Sequence, residues 1–88
     1  MSRISLEINV FKERNVYVAL CPELNVSSFG DDIESAKESL RVALEAFLEE
    51  CEAMGTLQDI LEDAGFVKEK ESWILEEPVI KEKIALSC

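Results

Sequence analysis

The sequence predicts an α+β domain: an antiparallel three-stranded sheet covered by one long helix, followed by a short helix and a terminal strand. Three observations carry that expectation. Residues 3–11 and 16–21 each alternate side chains with the two-residue period of a half-buried strand. The short polar link 12–15 joins them as an antiparallel hairpin. Residues 31–54 then repeat apolar side chains at the spacing of one helix face.

In the first strand Ile4, Leu6, Ile8 and Val10 point one way, and Ser5, Glu7 and Asn9 the other. Lys12, Glu13, Arg14 and Asn15 make the turn, where Asn15 is the residue that tolerates positive φ. In the second strand Val16, Val18 and Leu20 share one face and Tyr17, Ala19 and Cys21 the other. Pro22 ends it, having no N–H to give to a ladder. A loop over 23–25 leads to a short third strand, 26–29, and Gly30 releases the chain into the helix. The larger aliphatic set (Ile4, Leu6, Ile8, Val16, Val18 and Leu20) is the expected covered face, packed on Leu40, Leu44, Phe47 and Leu48.

The helix has a start, a stop and two distinct faces. Asp31 and Asp32 can each accept from its first free N–H groups, and their charge suits that end. Ile33, Ala36, Leu40, Ala43, Leu44, Phe47, Leu48, Cys51 and Met54 form the apolar arc, opposite Glu34, Glu38, Glu45, Glu49 and Glu52. Gly55 closes it. Thr56 is the expected cap of a second helix carrying Leu57, Ile60, Leu61 and Ala64, closed by Gly65. Phe66 and Val67 pack back, residues 68–72 form a charged turn, and Trp73, Ile74 and Leu75 form a brief edge strand. After Pro78, Ile80, Glu82, Ile84 and Leu86 line one face of a terminal strand, with Lys81, Lys83 and Ala85 on the other.

A chain of 88 residues reads as a single domain, with its core at 3–54 and an extension at 56–88. Such a domain buries about 60–65% of its unfolded surface, which favours an oligomer in which a second copy adds cover. The formal charge of −10, from 19 acidic and 9 basic residues, works against nucleic-acid binding by this chain alone and favours a basic partner or plain solubility. The three cysteines have no histidine beside them and no zinc spacing, so reduced thiols in a cytoplasm are expected. Cys51 falls on the apolar helix face, and the final residue, Cys88, is open to oxidation. No leader segment precedes the first strand, and no window has the length of a membrane span.

The stretch 16–48 resembles the HicB-like antitoxin family. The resemblance rests on Tyr17, Val18, Ala19, Cys21, Pro22, Glu23, Leu24, Gly30, Asp31, Glu34, Ala36 and Leu40. These follow the family's order of a strand of the Y-V-A type, a C-P-E-L turn, a short strand, Gly-Asp and a helix start. The family's Pro-Gly after the leucine is replaced by Asn25 and Val26, and the threonine after Gly-Asp by Asp32. The resemblance implies a β-β-β-α core of partial ribonuclease-H-like form. It implies a protein that neutralises a small basic ribonuclease of the HicA type by binding it. Many family members add a C-terminal DNA-binding unit, for which the residues after Gly55 leave no room.

Three functions follow as alternatives: such an antitoxin, a structural or regulatory homodimer or tetramer with no toxin, and a degenerate metal-dependent nuclease. The first two involve no catalysis and no cofactor. The third would use Asp31 and Asp32 with Glu7 or Glu34, against the simpler reading of those aspartates as a helix cap. The motif turn is Pro22 and Glu23 with Gly30 and Asp31. The partner-facing candidates are Glu34, Glu38, Glu45 and Glu49, which are otherwise a solvated helix face. The candidate oligomer contacts are Trp73, Ile80, Ile84 and Leu86, with Trp73 alternatively a core residue.

Overall fold

The hairpin forms with a two-residue loop. β2 (Asn9–Glu13) runs antiparallel to β3 (Val16–Cys21), and β4 (Val26–Gly30) pairs along the other side of β3, so the order is β2-β3-β4. The computed structural model describes residues 3–76 and 78–87; Cys88, read above as open to oxidation, lies outside them. In the loop it is Arg14, not Asn15, that takes positive φ, at 54°.

The register corrects the expected covered face. Val10 stands opposite Ala19 and Phe11 opposite Val18, while Val18 also faces Phe29 across β4. Directly opposed residues share a face, so Val10 lies with Tyr17, Ala19, Cys21 and Val26. That is the face the helix covers: Ala19 and Cys21 are fully buried and pack with Ala36, Leu40 and Leu44. Val16, Val18 and Leu20 lie on the open face. The cause is local. A hairpin loop with an even number of residues pairs even positions of one strand with odd positions of the next, whatever their bulk. The small Ala19 and Cys21 side chains then leave room for a helix bearing leucines.

α1 (Ile33–Met54) follows from its ends as the pattern predicts. Asp32 is the N-cap: the Ser35 N–H donates to its Oδ1 at 2.7 Å, and its own N–H donates to Ser35 Oγ at 3.2 Å. At the other end Gly55 adopts φ 74°, and the N–H groups of Gly55 and Thr56 reach back to the carbonyls of Glu52 and Cys51. Gly30 has a separate reason to be glycine. A Cβ there would lie 2.5 Å from the Ala36 nitrogen, so the absent side chain lets β4 run directly under the first turn of α1. Ile33 and Met54, expected on the buried arc, are exposed at 48% and 68%.

The second layer departs further from expectation. The alternating stretch 3–11 is not one strand. β1 (Arg3–Ile4) separates from β2 and pairs in parallel with β6 (Ser72–Leu75), which in turn runs antiparallel to β5 (Phe66–Glu69). The order is β1-β6-β5, so the segment at Trp73 is a central strand rather than an edge. α2 (Leu57–Asp63) precedes this small sheet. Thr56 does not cap α2 through its side chain; its hydroxyl instead donates to the Cys51 carbonyl at 3.3 Å. Leu61, Phe66 and Trp73 form a second core, and both Leu6 and Leu24 pack against both cores. Ile4 pairs and packs with Trp73, so residues from 3–54 and from 56–88 share this second core.

The terminal strand expected over 80–86 is not formed. These residues pair with no strand among the described residues and are exposed throughout. The terminal pairing is instead the β5–β6 ribbon. The radius of gyration of 15.3 Å exceeds the value of about 12 Å for a compact chain of this length, as a projecting end requires.

Candidate functional site

The wet face of α1 divides into two charge environments. In its first half every candidate carboxylate meets a cation one turn away. Lys37 Nζ lies 3.5 Å from Glu34, and Arg41 bridges Glu38 and Glu45, with Nε donating to Glu38 Oε2 at 3.0 Å. The hydrogen bond from Arg41 holds the Glu38 carboxyl below the usual carboxylate range, and Glu38 and then Glu45 hold the Arg41 guanidinium above its own. All of these groups are exposed, so water screens the pairs and their contribution to stability is small. Beyond Arg41 the helix has no cation, and Glu49, Glu50 and Glu52 face solvent with no ion pair among the described residues.

That unpaired half borders a groove of about 680 Å³ between α1, α2 and the β1-β6-β5 sheet. Its floor is apolar: Ile4, Leu48, Leu57, Leu61 and Trp73. Its rim carries Glu45, Glu49 and Glu52 on α1, with Lys68 the one cation lining it. Trp73 is only 7% exposed, so it is a core residue whose edge reaches the groove rather than a free-standing surface anchor. Ile80, Ile84 and Leu86 are exposed along the chain end and touch no part of this groove.

The motif turn has structural work. Glu23 accepts from the Glu7 N–H at 3.0 Å and from the Cys21 thiol at 3.7 Å, tying the irregular segment after β1 to the loop before β4. Asn25 adopts φ 55°, a conformation asparagine enters at low cost. Burial, foremost, pushes the Cys21 thiol pKa up, which opposes thiolate chemistry. Gly30 and Asp31 lie at the far end of β4, about 15 Å or more along the strand from Glu23, so the four residues do not converge on one centre. Asp32 is committed to the cap, and among the described residues no group of three or more His, Cys, Asp or Glu side chains could hold a metal ion.

Sequence reasoning found the rim but missed the groove floor, because Ile4 reaches it only through parallel pairing with a strand far along the chain. It also missed the open sheet face, where Phe11 is 50% and Phe29 68% exposed beside Val18. The even loop length sets Phe11 on one face with Val18, but side-chain bulk argues for covering that face. No helix among the described residues is long and apolar enough to cross a membrane. No family model matches the chain, and neither a curated protein nor a solved structure matches it.

Proposed function

We propose that this chain is a protein-binding module for a basic partner, and specifically a HicB-like antitoxin that neutralises a small basic ribonuclease. The observation that carries the general reading is the charge division of α1. Six carboxylates share this helix with two cations, both already paired, and two of the carboxylates without an ion pair among the described residues, Glu49 and Glu52, line an apolar groove. An apolar floor with a charged rim suits a protein surface, where the floor supplies affinity and the rim steers encounter. The specific reading is supported by the resemblance over 16–48 together with the strand-strand-strand-helix order of β2, β3, β4 and α1. The mechanism is occlusion: the rim carboxylates take the lysines and arginines with which a ribonuclease holds RNA phosphates.

The test is capture with the tagged full-length protein from its native cell, followed by assay of the captured protein on RNA. The expected result is a small basic protein at a near one-to-one ratio, released as salt rises, whose RNA cleavage stops when this chain is added back in equal amount. Glu45→Lys/Glu49→Lys should weaken both capture and inhibition. A captured ribonuclease that remains active in the complex would sink the antitoxin reading.

A further inference from the structure

We infer that the groove beside α1 receives the segment 79–86 of a second copy of this chain, in reciprocal exchange. The inference does not rest on the antitoxin reading; a basic partner docking at the same rim would have to displace this segment. Its first ground is the segment itself. Val79, Ile80, Ile84 and Leu86 project from the body with Val79 wholly exposed, and no residue of 78–87 takes part in helix or strand. Apolar side chains at this density gain free energy when covered, about 1.5–3 kcal/mol for each one fully buried.

The second ground is charge. The groove presents Glu45, Glu49 and Glu52 with Lys68. The segment presents Lys81 and Lys83 with Glu82. Lys81 and Lys83 can offset Glu49 and Glu52, and Glu82 can offset Lys68, while Glu45 is already paired with Arg41. In extended form Lys81 and Lys83 project from one face about 7 Å apart, while Ile80, Ile84 and Leu86 share the other with Glu82. Laid in the groove, the isoleucines meet the floor, Glu82 on the same face meets Lys68, and the long Lys81 and Lys83 side chains bend back to the α1 rim.

The third ground is length. Residues 78–87 span up to about 33 Å, enough to cross from one body and lie along the rim of another, which covers about 10 Å between Glu45 and Glu52. Within one copy, the Glu76 N–H donates to the Gly65 carbonyl at 3.1 Å, which carries the ribbon pairing past Leu75 and sends the chain outward beyond it. Exchange between two copies fills both grooves through one two-fold arrangement and leaves no open end.

Sedimentation equilibrium of the untagged full chain from low to high micromolar concentration tests this. The expected species is a dimer. Ile80→Asp/Ile84→Asp should give a monomer with an unchanged circular dichroism spectrum, since those side chains are mostly exposed and belong to neither core. Lys81→Glu/Lys83→Glu should weaken the dimer about tenfold or more, as should Glu49→Lys/Glu52→Lys, and the two pairs combined in one chain should restore it. A monomer at every concentration overturns the inference, and so does a dimer that Ile80→Asp/Ile84→Asp leaves intact. Failure of the combined charge reversal to restore association would also overturn it, because the groove would not be the receiving surface. None of these outcomes depends on a ribonuclease partner, whose capture is read separately.

Discussion

The two faces of the β2-β3-β4 sheet invert the usual association of bulk with burial. The covered face carries Ala19 and Cys21 at its centre, with Val10, Tyr17 and Val26 around them. The open face carries Phe11, Val18 and Phe29 in one cross-strand row. A helix lies on the smaller side chains because small side chains admit it. Leu40 and Leu44 need depth, and Gly30 needs the first turn of α1 to pass at close range. Hydrophobicity supplies the drive to cover a sheet, while register and volume decide which side is covered.

That contrast can be broken by experiment. The largest effect is expected for Leu44→Asp, which places an unpaired carboxylate under the helix. A cost of about 4 kcal/mol or more would remove most of the stability of a domain this small, and the cooperative thermal transition should vanish. A near-normal melt would mean that α1 is rotated from the phase described. Next comes Gly30→Ala. The added methyl meets the helix backbone at Ser35 and Ala36 as well as the Ser35 hydroxyl, so a loss of about 1–3 kcal/mol in denaturant unfolding is expected. No loss would show that α1 does not approach β4 so closely.

A smaller effect sharpens the covered side. Burial raises the folded-state pKa of Cys21, so folding favours its protonated thiol. The associated stability is present in full below the unfolded thiol pKa and is lost as pH rises through the raised folded value. Wild type should therefore lose melting temperature toward alkaline pH faster than Cys21→Ala does. Parallel declines would place the thiol in contact with water. The smallest effect belongs to the open face. Phe29→Ser should change monomer stability by no more than about 0.5 kcal/mol, since most of the ring is already in water. A loss of 2 kcal/mol or a change in sedimentation mass would reveal a cover on that face.

The sequence carried most of the local structure of this protein. The alternation at 16–21, the polar loop, the aspartate before Ile33 and the glycine after Met54 each act within a few residues. Their outcome therefore needs no knowledge of distant chain. The carboxylate rim was legible for the same reason, since helical spacing alone sets Glu45, Glu49 and Glu52 near one edge. The even hairpin loop also contained which residues share a face, Val10 with Ala19 and Phe11 with Val18, but not which of the two faces the helix covers.

Tertiary structure decided what depends on partners far apart in the chain. Ile4 leaves the alternating run that ends at Phe11 because Trp73, nearly seventy residues later, offers it a parallel neighbour and a core. Residues 80–86 have the alternation of a strand but meet no edge within their own copy, and a strand exists only when its backbone groups find another. Local sequence fixes what a segment can become. Pairing and packing across the chain fix which of those forms is stable, and they place an apolar groove beside carboxylates that the helix alone would have left on an ordinary wet face.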